Sequence, residues 1–457
     1  MSKPKRKMSL FQLTVLTMVN MMGSGIILLP TKLAQVGTIS IFSWIVTAVG
    51  SMALAYAFAQ CGRYTKNHVG GMGAYAEYSF GKSGSFMTNY TYALSLVIAN
   101  VAIAVTAVGY FSTLMGWTLA PVQVAMWTIG FLWLTTIPNF FGPTITGRLG
   151  AITVWGIILP VVGISFIGWF WFKSSIYAAA WNPHNLSISQ ALPASISITL
   201  WAFLGLESAS ANADAVENPE KNIPIAVLGG TLLTAVIYIV STNVIAGIVP
   251  NAQLAASNAP FGLAFSQMLG GSAGVIVNAL AVIACLGSLL AWQFTSASVY
   301  KSGADEGYFL PLFGRLNKYN APVVGMLVLA TVQTLLSLMT ISPDLSKQFD
   351  TLVNLAVVTN LVPYIMSMSA ILVLLKSANV PRKKVIFTGI IAFIGTIYSF
   401  YALYSAGSDA MLWGGLATFA GWVLYGKVVS TKFDLKLPII DEMDNDNSVA
   451  TTPTTIR

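Results

Sequence analysis

Ile198-Thr-Leu-Trp-Ala-Phe-Leu-Gly-Leu-Glu-Ser208 decides how the rest of this chain is read. The apolar run is long enough to sit deep in a membrane, yet it carries a carboxylate at Glu207. A charge at that depth is expensive, and such residues face pathways, partners or ligands. The bland alternative is a permanently protonated Glu207 held in a structural hydrogen bond. Gly205 stands just before it, and glycine is where a membrane helix is broken. A second glycine-broken stretch, Met21-Met-Gly-Ser-Gly-Ile26, lies in the first hydrophobic segment. Two interrupted spans in matching places of two halves are the best sequence pointer to a transporter's binding site.

Composition supports the membrane reading. Of 457 residues, 56% are hydrophobic and 8% charged, with a mean hydropathy of +0.74. A soluble protein would carry about a quarter charged residues. The apolar runs have helical length, about 20 residues, rather than the roughly 10 alternating residues of a barrel strand. Met1 to Met8 is basic, but the apolar stretch after it is too long for a signal-peptide core and shows no small-residue cleavage site. Two cysteines, Cys61 and Cys285, and two histidines, His68 and His184, are too few for a disulfide framework or a metal centre. No cofactor motif, nucleophile–base pair or phosphate loop is present, so neither an enzyme nor an ATP-driven pump is expected. A channel would need a continuous polar pore, and the spans show no repeated polar stripe. The net charge of +8 sits in loops rather than in a nucleic-acid patch.

The chain reads as an all-α membrane protein of twelve spans, near 11–34, 39–60, 87–115, 122–142, 148–172, 189–213, 223–249, 272–299, 322–341, 351–375, 384–405 and 408–428. Residues 1–435 form one domain, with repeats near 9–172 and 188–376 and two extra helices near 384–428. An even count puts both termini on one side. If that side is the cytoplasm, only Lys32, Lys173 and Lys347 of the 23 Lys and Arg lie outside, leaving 23 − 3 = 20 inside. This asymmetry gives the orientation. The loop 61–86 contains Gly70-Gly-Met-Gly73 and is re-entrant or flexible. Lys301 to Tyr319 is amphipathic and is expected along the cytoplasmic surface. The polar tail 436–457 reads as disordered.

Backbone N–H groups around Gly23, Ser24 and Gly25 would attract a carboxylate, if the helix restarts there. Alternatively, these small residues only let helices approach closely. Glu207 suits an ammonium group, and a buried carboxylate can take up a proton when the cation leaves. Trp201 and Trp292 would face the same ligand, because aromatic faces attract ammonium ions most strongly where water is excluded. Otherwise they are ordinary core. Glu77 is either a second carboxylate on the path or a loop charge pairing with Lys82 or Arg63. Tyr92 and Tyr425 are binding residues or interfacial anchors. Asp214, Glu217, Glu220 and Lys221 form either a gate latch or a solvated loop closed by Pro219 and Pro224.

At Met18-Val-Asn-Met-Met-Gly-Ser-Gly-Ile26, Trp201-Ala-Phe-Leu-Gly-Leu-Glu207, Glu217-Asn-Pro-Glu-Lys-Asn-Ile-Pro224 and Asn354-Leu-Ala-Val-Val-Thr-Asn360, the chain resembles the amino acid–polyamine–organocation transporters. Within them it is similar to the basic amino acid and polyamine antiporters, over about residues 8–430. The resemblance implies a leucine-transporter-like fold: five spans repeated in inverted orientation, then two more, with helices 1 and 6 interrupted. It implies a bacterial inner-membrane carrier with cytoplasmic termini that exchanges putrescine for ornithine by alternating access, with protons as a further partner. Sister members exchange cadaverine for lysine. On this resemblance Gly23, Ser24, Gly25, Ile26, Trp201, Gly205, Glu207 and Trp292 hold substrate. The backbone groups of the first break would receive the ornithine α-carboxylate. Glu77, Tyr92, Tyr425, Cys61, Lys301 and Tyr308 fall on its path or gate.

Overall fold

The computed structural model of the protein describes residues 8–23, 25–65, 71–207, 216–342 and 344–432. Among these there is no strand; an isolated bridge pairs Met8 with Val216. In chain order the helices are α1 (Leu10–Met21), α2 (Leu29–Ala34), α3 (Ile41–Tyr64), α4 (Gly71–Met115), α5 (Pro121–Asn139), α6 (Pro143–Thr153), α7 (Trp155–Ile167), α8 (Ser174–Ala179) and α9 (Ile188–Ala191). They continue as α10 (Pro193–Trp201), α11 (Pro219–Ile248), α12 (Asn251–Ala255), α13 (Pro260–Leu269), α14 (Gly271–Asp305), α15 (Val323–Met339), α16 (Leu345–Ser377), α17 (Arg382–Ser405) and α18 (Ser408–Lys432). Among the described residues, seven helical segments are long and apolar enough to cross a membrane. The outer faces of the helical segments carry large side chains such as Phe166, Phe170, Met339 and Val423, each at least 73% exposed. Continuous apolar surface of this kind fits lipid rather than water.

Local chemistry sets the element ends. Ser9 caps α1: its hydroxyl accepts from the Gln12 N–H while the Gln12 side chain accepts from the Ser9 N–H. α11 opens after Asn218, which adopts a left-handed conformation, and Pro219 supplies the pre-set first helical residue. The second half of α4 is the axis of the bundle, with α14 and α16 packed on it. α11 and α17 pack on α3, and α1 packs on α11.

Some boundaries differ from those expected. The segment 61–86 is not a simple loop: α4 already starts at Gly71, and Gly81 (φ 60°, ψ −154°) separates a leading helical piece from the long membrane helix. That backbone geometry is open to glycine at little cost. The segment after Lys301 is partly a continuation of α14 to Asp305, and Phe313 beyond it is buried against Tyr300 and Met326. Lys32 is not a loop charge: it is buried and ion-paired with Asp350 at 2.8 Å. The tail 436–457, Asp214 and Ser24 lie outside the described residues.

Candidate functional site

The chain leaves helical conformation between Met21 and Leu29, and again after Trp201. Backbone groups freed inside a membrane need partners. Two buried phenols supply them for the first segment: Tyr238 donates to the Met21 carbonyl at 2.7 Å and Tyr110 to the Ile27 carbonyl at 2.8 Å. In the second segment Gly205 has φ +107°, a conformation side chains resist. A Cβ on Gly205 would sit 2.9 Å from the Asn20 carbonyl oxygen, so the second non-helical segment meets the last turn of α1 through bare backbone here.

This turn folds Glu207 back on its own chain. Its Oε2 accepts from the Gly205 N–H at 3.0 Å and from the Tyr364 hydroxyl at 2.5 Å. Its Oε1 accepts from the Tyr92 hydroxyl at 3.1 Å. Tyr92 lies on α4 and Tyr364 on α16, so three distant parts of the chain meet on one carboxylate. Glu207 is 6% exposed. Among the described residues it has no salt-bridge partner. Among the described residues its donors are all neutral.

A small cavity of about 50 Å³ opens beside it. One wall is a single face of α4: Tyr92, Ser95, Leu96, Ala99 and Ile103 recur at helical spacing. The opposite wall combines Gly23, Gly25, Trp201, Leu204 and Trp292, with Asn20 and Asn360 as further polar groups. The glycines make room for the indoles. A Cβ at Gly25 would lie 3.4 Å from Trp201 Nε1, and a Cβ at Gly23 3.8 Å from Trp292 Nε1. Trp201 Nε1 and Asn360 Oδ1 are buried without a hydrogen-bond partner. The arrangement offers one buried anionic oxygen pair, two indole walls and a few uncommitted polar atoms. That combination suits an alkylammonium better than a sugar, nucleotide or neutral lipid.

Gly23, Gly25, Tyr92, Trp201, Gly205, Glu207 and Trp292 therefore come together around one cavity. Ile26 is fully buried next to it. Tyr308 and Tyr425 meet elsewhere, around Phe86: their ring centroids lie 5.8 Å and 5.2 Å from it, with Tyr90 stacked at 5.9 Å. Near this aromatic cluster Lys82 pairs with Glu77 at 2.7 Å on the surface, and Lys301 pairs with Asp305. Glu306, exposed just past α14, has its carboxyl held above the usual range by partial desolvation and then by the Glu77 charge, with Lys82 opposing. Cys61 is fully buried on α3, its sulfur 4.0 Å from the Ser367 carbonyl. The proposed latch after Glu207 takes a different form among the described residues: Glu217 N–H donates to the Met8 carbonyl at 3.0 Å, and neither Glu217 nor Lys221 forms an ion pair.

Sequence reasoning missed Tyr364, Asn360 and Asn20. The signal was present for the asparagines, polar groups within apolar spans. A tyrosine inside an apolar span gives no such signal.

Known proteins add an independent line. A profile described as "Amino acid permease" matches residues 8–426. The chain is 64% identical over 436 residues to the putrescine transporter PotE of Haemophilus influenzae, covering 95% of this chain and 100% of that one. It is 62% identical over 437 residues to the putrescine transporter PotE of Escherichia coli K12, covering 95% and 99%. It is 35% identical over 410 residues to the cadaverine/lysine antiporter of Escherichia coli K12, covering 88% and 90%.

Proposed function

The chain belongs to the amino acid permease family, and on that premise we propose that it is a putrescine transporter of the bacterial inner membrane that exchanges putrescine for ornithine. The observation that carries the reading is Glu207: a buried carboxylate with neutral donors only, facing a cavity walled by Trp201 and Trp292. An ammonium group supplies the missing charge, and the indoles cover the methylenes beside it. Identity of 64% and 62% to putrescine transporters, against 35% to the cadaverine/lysine antiporter, favours the shorter diamine.

In this reading the helices before and after the two breaks are the halves of an interrupted first and an interrupted sixth span. They belong to a twelve-span carrier built as a 5+5 inverted repeat plus two, with both termini in the cytoplasm. Putrescine places one ammonium on Glu207. Ornithine does the same and turns its α-carboxylate toward the N–H groups of the Gly23–Ile26 stretch. Exchange follows from the carboxylate: carrying it unpaired through an occluded state costs several kcal/mol. Tyr92, Tyr364 and Gly205 offset part of that cost but bring no charge. A proton on Glu207 offers the other way back and supports a proton-coupled uptake mode. Glu77, Cys61, Lys301, Tyr308 and Tyr425 are assigned to the path or gate at the end holding the N-terminus.

Counterflow in proteoliposomes tests this. Vesicles are preloaded with ornithine, lysine, arginine or nothing, and uptake of labelled putrescine is followed. Strong stimulation by ornithine alone is expected. Stimulation by lysine instead moves the protein to cadaverine–lysine exchange, and equal uptake into empty vesicles refutes obligatory exchange. Recovery of chemically altered putrescine would point to an enzyme.

A further inference from the structure

A group of cations stands at the membrane end shared by the last turn of α3 and the first turn of α17. The two helices run antiparallel: Tyr56 Oη lies 3.4 Å from Thr388 Oγ1, and the ring of Tyr398 fills the space a Cβ on Gly50 would take. At their common end Lys384 Nζ donates to the Tyr64 hydroxyl at 2.9 Å. Lys384 Nζ also stands 5.3 Å from the centre of the Tyr64 ring, and the Arg63 guanidinium stands 5.4 Å from it. Two cations are thus gathered on one phenol. Among the described residues neither forms an ion pair with a carboxylate. Arg382 and Lys383, next to Lys384 in the chain, are exposed, as is Lys376 at the end of α16. Residues 41–65 and 376–405 contain no Asp or Glu at all.

The phenol attracts both cations through its ring face but cancels neither charge. An anion between them does. The surroundings narrow its kind. Past Lys384, the side chains of Ile386, Ile390, Phe393, Ile397 and Phe400 recur at helical spacing, each more than half exposed. This apolar stripe extends about 21 Å along α17, more than the roughly 15 Å of one leaflet's hydrocarbon. The cations therefore sit at headgroup depth, with an apolar track for acyl chains directly beside them. Guanidinium and ammonium groups both pair strongly with phosphate oxygens, and basic pockets between spanning helices suit anionic headgroups. A free phosphate would use the cations and leave the stripe unused.

We propose that Arg63, Tyr64 and Lys384 form a site for one anionic phospholipid, its phosphate between the two cations and its acyl chains along the exposed face of α17. Bound there, the lipid ties the end of α3 to the start of α17. The inference needs only that these helices span a membrane, and it stands apart from the identity of the transported substrate.

The test is binding of phosphatidylglycerol to the purified full chain in detergent, followed by native mass spectrometry, with phosphatidylcholine of the same acyl chains for comparison. Phosphatidylglycerol is expected to bind about tenfold more tightly or better. Arg63→Gln with Lys384→Gln should weaken it about tenfold or more. Arg63→Lys with Lys384→Arg keeps both charges and should bind within about threefold. Arg382→Gln with Lys383→Gln removes the same charge from exposed neighbours and should weaken binding about threefold at most. Should the first pair of substitutions prevent folding, Lys384→Gln against Lys383→Gln carries the same comparison, with losses of about fivefold against about twofold at most. Equal losses at the two places would overturn the site and leave only a diffuse field of positive charge. Equal affinity for the two lipids, or displacement of phosphatidylglycerol by equimolar inorganic phosphate, would overturn it as well. So would lipid binding that appears only after removal of residues 436–457, which would put the chain's own acidic tail on these cations.

Discussion

Glu207 and Asp350 are both carboxylates inside a membrane protein, and they are satisfied in opposite ways. Asp350 has a tethered cation, Lys32, at 2.8 Å. Glu207 has two phenols and a peptide N–H, all neutral. Hydrogen bonds position a carboxylate without cancelling its charge. The Asp350 carboxylate is therefore neutralised within the fold. The second is oriented but not neutralised, and in the proposed function a mobile cation completes it. Two residues of one chemical type thus differ in whether the protein itself supplies the countercharge.

The largest break in this comparison is Glu207→Gln. It keeps the shape and removes the charge, so the phenols hydrogen-bond an amide and no ammonium is required. Removing one member of a buried charge pair costs about 2–5 kcal/mol, so kcat/KM for putrescine exchange should fall about a hundredfold or more. At high salt, residual exchange should no longer depend on pH between mildly acid and neutral conditions. Full exchange across that range, measured as counterflow, would sink the assignment of Glu207 as the cation site. Gly205→Ala attacks the geometry instead of the charge. The residue has φ +107°, and the added methyl meets the Asn20 carbonyl at 2.9 Å. Backbone strain of this kind costs about 1–3 kcal/mol, so a Tm drop of several degrees in detergent and exchange lowered about tenfold are expected.

The phenols sharpen the contrast further. Tyr364 at 2.5 Å holds Glu207 more closely than Tyr92 at 3.1 Å. A hydrogen bond to a charged group contributes about 1.5–3 kcal/mol, so Tyr364→Phe should reduce kcat/KM about tenfold and Tyr92→Phe less, about threefold. The reverse order in matched uptake assays would mean that Tyr92 contacts substrate directly rather than through Glu207.

Much of the inner site was legible because a charge or a glycine within an apolar run stands out by composition. Glu207, Gly205 and Gly23 are readable on that ground, and Trp201 by its nearness to them. Tyr364 was not, since a phenol in an apolar helix looks like core until its 157-residue contact with Glu207 is known. Lys32 was misassigned for a related reason. At the edge of a span a lysine reads as a loop charge, and only Asp350, 318 residues away, shows it to be buried. The helix starting at Gly71 was hidden by its glycines, which read as loop although only Gly81 among them interrupts the helix.

A third carboxylate, Glu306, gives the smallest and most conditional effect. It lies near Tyr308 and the Glu77–Lys82 pair, exposed and outside the spanning segments. In the proposed carrier it would act at a distance, raising the local concentration of cations at the mouth rather than binding them. Partial desolvation and the Glu77 charge raise its carboxyl above the ordinary range. A raised acid loses its charge as pH falls, and does so sooner than an ordinary glutamate. Putrescine KM at the N-terminal face should therefore rise about twofold at mildly acid pH and low salt in the unaltered protein. In Glu306→Gln that KM is already raised at neutral pH and no longer moves with mild acid. High salt should abolish the difference, which separates screening at the mouth from the Glu207 contact, where excluded water leaves salt little to screen.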